Sequence, residues 1–153
     1  MDAAIINPFI NATVETYKLM LFDDALKPDA PFIKKQPFPH YDISTTIGLS
    51  GKATGMISIA YSIDVAVKTI SAMVGAQIDK NSRDLGDGIG EIVNIVAGYA
   101  KKDLVQYALE ISLPSVIKGD HFIVTPSSVP CIIVPFESKY GKLIMEVAMI
   151  TKK

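Results

Sequence analysis

Two polar side chains three residues apart, Glu91 and Asn94, interrupt the aliphatic run in DLGDGIGEIVNIVAGYAKKDL, residues 84–104. Residues at this spacing are neighbours on a helix surface, so the two groups project together. A carboxamide donates and accepts hydrogen bonds at once, which equips Asn94 to hold a water in line for attack on phosphorus. Glutamine orients the attacking water in this way in some GTPases. A carboxylate beside it can grip a lysine on the molecule that bears the phosphoryl group. As a general acid–base pair the two are poor, because asparagine does not titrate and no histidine accompanies them.

The element that must carry them is a long helix, expected over residues 83–107. At ~100° per residue, Leu85, Ile89, Ile92, Val93, Val96, Ala100 and Tyr107 form one apolar stripe toward the core. Asp84, Asp87, Glu91, Asn94, Gly98 and Lys102 lie on the opposite arc, together with Ile95 and Val105. Most polar arcs of this kind are only solvated. Two residues argue for more here. Gly98 supports no core packing and costs a helix interior about 1 kcal/mol relative to alanine, a cost that makes sense where another backbone comes close. Ile95 adds apolar surface at the same place, as a contact patch requires. Glu91 and Asn94 are therefore the candidate catalytic residues, with Asp87, Ile95, Gly98 and Lys102 as candidate partner contacts. The glycines do not form a nucleotide loop: a Gly-x-Gly-x-x-Gly spacing needs glycine at position 91, and the preceding DKNSRD is not a strand.

Around this helix the chain reads as a helix over 5–24, with Asn7-Pro8 as its start signal, and a proline-rich loop over 25–40. A hairpin over 41–61 and a helix over 63–75 ended by Gly75 come next. Strands are expected near 109–117, 121–125, 130–137 and 142–150, the last two joined by SKYGK. Helices gathered with antiparallel hairpins predict an α+β two-layer domain, helices packed on one face of an antiparallel sheet, with a weak two-fold repeat of helix plus hairpin. One domain spanning 1–153 is expected.

Composition narrows the function classes. A formal net charge of −1 gives no field to gather nucleic acid, and no basic stripe interleaved with aromatics exists. The single cysteine, Cys131, forms no internal disulfide and reads as buried strand, which fits a reducing cytosol. Asp2 and Asn7 stand where a secretory signal needs a basic start and an apolar core, and no apolar run approaches the ~20 residues of a membrane span. A soluble, cytoplasmic protein is expected. His40 and His121 have no companions at metal-ligand spacing and read as loop or surface residues; no metal site is expected. Phe38 reads as packing over the sheet edge. Met56, Met73, Met145 and Met149 read as core, and Glu146 as an outward or edge position of its strand.

The motif Glu91-Ile92-Val93-Asn94, framed by Gly90, Ala97, Gly98 and Lys101, resembles that of the CheX-type chemotaxis phosphatases, relatives of CheC and FliY, which share a Glu-x-x-Asn on a helix. INPFINAT at 6–13 resembles the family's N-terminal helix, and PCIIVPFESKYGKLIMEVAM at 130–149 its closing hairpin. Relatives of the CheC kind carry a second Glu-x-x-Asn on the first helix; here Glu15 is followed by Lys18, so one active face per chain is implied. The resemblance implies a two-layer CheC/CheX-like fold, a homodimer, and hydrolysis of the aspartyl phosphate on a CheY-like response regulator, with no cofactor of its own and Mg²⁺ supplied by the regulator. Asn94 would orient the water and Glu91 dock a regulator lysine. A non-catalytic adaptor that binds a phosphorylated receiver domain stays open beside this reading, as does a structural domain of a motility assembly.

Overall fold

Helix α1 covers Ala3–Leu21 and packs its buried face, Ile5, Ile6, Phe9, Ala12, Tyr17 and Leu21, into the core. It begins earlier than Asn7-Pro8 signals, and Pro8 lies inside it. The missing amide there would have met the carbonyl of Ala4, an exposed residue that water can satisfy, so the proline is tolerated. The buried hydroxyls of Thr13 and Thr16 donate to the carbonyls of Phe9 and Ala12 at 2.8 and 2.7 Å. The structure, a computed structural model, describes residue 1 and residues 3–152. Asp2, on which part of the reading of the chain start rests, lies outside the described residues.

The proline-rich stretch is not wholly loop: β1 (Lys27–Pro28) and β2 (Phe32–Ile33) are two-residue strands. Strands β3 (Tyr41–Ser50) and β4 (Ala53–Tyr61) form the expected hairpin. Helix α2 (Ile63–Val74) is capped by the Ser62 hydroxyl, which accepts from Val65 N, and closes on Gly75 at φ 72°. Helix α3 (Arg83–Lys102) follows. It stops short of the expected residue 107, because the chain tightens into a 3₁₀ turn at Val105–Tyr107. Strands β5 (Glu110–Ile111), β6 (Ser115–His121), β7 (Cys131–Ser138) and β8 (Gly141–Thr151) complete the chain. The expected strand over 121–125 does not form beyond His121, and 109–117 is divided at Ser112–Pro114.

Among the described residues eight strands join one sheet in the order β1-β7-β8-β4-β3-β5, with β2 also on β7 and β6 also on β3, every pair antiparallel. Exchanging β1-β2-β3-β4 with β5-β6-β7-β8 leaves that strand order unchanged, while α2 has no counterpart in the exchange. Side chains alternate across a strand, and Ile43, Ile47, Ile57, Ile59, Met145, Val147, Val134 and Phe136 meet the apolar stripe of α3 and the buried faces of α1 and α2 in one core. In that core the hydroxyls of Tyr17 and Tyr61 share a hydrogen bond of 2.6 Å.

The other face of the sheet is not open to water throughout. The segments around residues 34–40 and 121–131 fold over it, and Phe38 meets Phe122 at 6.0 Å between ring centres. Beneath them Glu146 is fully buried. Its carboxylate takes the Lys34 ammonium at 2.6 Å and the Tyr41 hydroxyl at 2.7 Å. The expectation of an outward Glu146 is corrected for this reason: its strand parity is as read, but a distant loop roofs that face and brings its own cation. His40 lies exposed beside Asp120, as a surface histidine, whereas the partly buried His121 packs its ring against Ser44, Nε2 to Oγ 2.7 Å.

Candidate functional site

Helix α3 is started by the Ser82 hydroxyl, which accepts from Asp84 N at 3.1 Å, and its last turn carries Lys101 and Lys102, matching the sign of the helix dipole at that end. Leu85, Ile89, Ile92, Val93, Val96 and Ala100 are all buried, as the period predicts. Glu91 and Asn94 consequently face away from the core, and both are exposed. Among the described residues neither side chain makes a hydrogen bond or an ion pair.

The glycines of α3 have separate reasons. A Cβ on Gly88 would stand 2.8 Å from Ile70 Cγ2, so a side chain there would force Ile70 or the α2–α3 packing to shift. A Cβ on Gly86 or Gly90 would touch Val116 Cγ1 or Pro114 Cγ at 3.4 Å. These two glycines floor a depression beside the Glu91–Asn94 pair. Among the described residues nothing lies within 4 Å of where a Gly98 Cβ would be, so no packing against them requires a glycine there.

The depression is a cavity of about 330 Å³ lined by Gly86, Asp87, Gly90, Glu91 and Asn94 on the α3 side and by Leu113, Pro114 and Val116 on the other. The candidate residue Asp87 is thus gathered with Glu91 and Asn94. Ile95 is half-buried next to Asn94, and Gly98 lies one turn further along the same helix. Lys102 is drawn elsewhere: its ammonium sits 5.1 Å from the Tyr99 ring centre, in a separate depression with Asn11 and Glu15 of α1. The wall of Leu113, Pro114 and Val116 was not visible as a site in the sequence. Its one signal was an apolar Leu-Pro pair at the point where a strand was expected to run unbroken.

Chemically, the pair offers one carboxylate and one carboxamide, both unengaged, beside a shallow depression with an acidic and an apolar side. Such a face binds and orients; it contains no nucleophile–base pair.

The sequence profile of the chemotaxis phosphatase CheX family matches residues 43–137, which include both residues of the pair. The chain belongs to the CheX family. It is accordingly an enzyme, a protein phosphatase. The CheY-P phosphatase CheX of Thermotoga maritima is 29% identical over 122 residues, 78% of each protein. A CheC-like superfamily protein from Shewanella sp. PV-4 is 30% identical and superposes with a TM-score of 0.88, with 98% of this chain and 99% of that one covered. The crystallised CheX–CheY–BeF₃–Mg²⁺ complex from Borrelia burgdorferi contains a chain with the same fold, 24% identical, with 97% of this chain and 98% of that one covered and a TM-score of 0.77. The helices-on-one-face CheC/CheX-like architecture expected from the sequence is the one observed. Among the described residues no helix is long and apolar enough to cross a membrane.

Proposed function

We propose that this CheX-family chain hydrolyses the aspartyl phosphate of a CheY-like response regulator, with Asn94 orienting the attacking water and Glu91 docking a regulator lysine. What carries the reading is that Glu91 and Asn94 stand side by side and exposed on one helix, without a hydrogen-bond or ion-pair partner among the described residues. The names of the relatives support the substrate. The Thermotoga protein is a phosphatase of CheY-P, and the Borrelia complex joins a CheX to CheY with BeF₃, a stand-in for the phosphoryl group, and Mg²⁺.

The chemistry asks little of the chain beyond positioning. The carboxylate of the phosphorylated aspartate is a good leaving group, and the regulator brings the Mg²⁺ that balances charge on the phosphoryl oxygens. Water attacks phosphorus opposite the aspartyl oxygen, the P–O bond to aspartate breaks, and inorganic phosphate departs. The Asn94 carboxamide oxygen accepts a hydrogen bond from that water and fixes its line of approach, which lowers the barrier by removing orientational freedom. Glu91 pairs with a lysine of the regulator and sets the register of docking. Asp87, Ile95 and Gly98 border the contact, and the working unit is a homodimer of cytoplasmic chains.

The test is phosphate release from a phosphorylated receiver domain with the chain at substoichiometric amounts. Multiple turnovers per chain are expected. Tight binding with unchanged phosphate loss would leave only an adaptor.

A further inference from the structure

Leu113 is an apolar side chain held out in water: it is 87% exposed, yet its backbone is fixed. The Ser112 hydroxyl accepts from Gly48 N at 2.8 Å and donates to the Leu113 carbonyl at 2.9 Å, while Ser112 N donates to Gly48 O at 3.0 Å. Pro114 follows, which confines Leu113 to extended backbone. Pro114 in turn faces Gly90, and Val116 faces Gly86, so the turn is braced against α3 itself. Val116, itself partly exposed, extends the apolar surface beside Leu113, so the exposed leucine belongs to a patch rather than standing alone.

We infer that Leu113, with Pro114 and Val116, is the apolar docking shoulder that seats the receiver domain of the phosphorylated regulator against α3. This rests on the reading of Glu91 and Asn94 given above. The occupant is set by continuity and charge. One cavity is lined by Leu113 and by Glu91 and Asn94, so whatever receives the pair also covers the shoulder. Asp87 and Glu91 give one side negative charge and Leu113, Pro114 and Val116 leave the other apolar, so the fitting surface presents a cation next to an apolar side chain. An apolar residue whose backbone is already held loses little backbone freedom on binding. Leu113 therefore sets affinity, while the water is held by Asn94.

The experiment measures phosphate release against receiver concentration for the wild-type chain, Leu113→Glu, Leu113→Ala and Leu113→Met. Leu113→Glu is expected to raise the half-saturating receiver concentration at least tenfold and Leu113→Ala several-fold, Leu113→Met to restore it, and the saturating rate to move less than twofold. Val124→Glu, an exposed apolar position in the separate cavity that contains Cys131, serves as the control and is expected to change nothing. A Leu113→Glu protein with wild-type half-saturation overturns the shoulder and leaves the reaction standing. A shift in sedimentation without a shift in half-saturation also overturns it, and marks the face as a contact between copies of this chain. A wild-type chain that releases no phosphate from any receiver removes both inferences, and does so before any variant is made.

Discussion

The ammonium of Lys34 and the carboxylate of Glu146 meet at 2.6 Å on the side of the sheet turned away from α3, with side chains 2% and 0% exposed. Lys34 also donates to the Ile123 carbonyl and lies 4.7 Å from the Phe38 ring centre. One ion pair therefore fastens both segments that roof this face. Removing one partner of a buried pair leaves an uncompensated charge, at a cost of about 3–5 kcal/mol, whereas replacing both with apolar groups is often neutral. Lys34→Met and Glu146→Leu should each lower unfolding free energy by about that amount, and the double variant should recover most of it. Urea denaturation of the four proteins checks this; additive losses in the double variant would show that the pair does not act as a unit.

For Asn94→Ala, the expectation is a fall of about 100-fold or more in the saturating rate of stimulated phosphate release, the scale on which loss of positioning acts. Half-saturation should hold, because the docking contacts remain. Glu91→Ala should raise half-saturation and lower the rate together. Both positions are exposed, so thermal unfolding serves as the control and should not move. Wild-type turnover by Asn94→Ala would remove the water-positioning role.

The site was legible to the extent that it obeys a local period. A 3.6-residue repeat places Glu91 and Asn94 outward whatever packs beneath, and the strands of both hairpins follow from alternation. What escaped depends on contacts distant in sequence. Leu113 and Val116 become a wall only because β6 pairs with β3 and so lies along α3. Glu146 is buried because residues more than a hundred positions earlier cover it. Pro8 misled for a subtler reason: a proline marks a helix start by its missing donor, but near an exposed first turn water replaces that bond.

Alkaline pH should unfold the protein through a set of buried protons. Burial above all raises Tyr17 well beyond the ordinary tyrosine range, with the Tyr61 hydroxyl adding to it, and raises Tyr61 as well. Burial and then the Glu146 carboxylate raise Tyr41, and push the Cys131 thiol up to about 12. Each group holds its proton more tightly when folded. The stability they contribute is fully present below the unfolded values of ~8.5 for cysteine and ~10 for tyrosine, and is lost as pH climbs past them toward the folded values. Urea midpoints should fall from about pH 9 upward, with tyrosinate absorbance rising in step with the loss of helical circular dichroism. Full tyrosine ionisation in a chain that keeps its helices would contradict the assignment.

Gly98 separates stability from function by sign. It lies inside α3, where glycine costs about 1 kcal/mol relative to alanine, and a Cβ there would meet nothing within 4 Å. Gly98→Ala should therefore stabilise the chain by up to about 1 kcal/mol. If a regulator's backbone comes close at this turn, the added methyl obstructs it, and Gly98→Leu obstructs it further, so half-saturation should rise in the order glycine, alanine, leucine while stability does not fall. Core glycines behave oppositely: Gly88→Ala, with Ile70 only 2.8 Å from the new Cβ, should destabilise. Thermal unfolding read beside phosphate release distinguishes the cases. A more stable Gly98→Leu protein with wild-type half-saturation would place the regulator's contact elsewhere on the helix, toward Asp87 and Leu113.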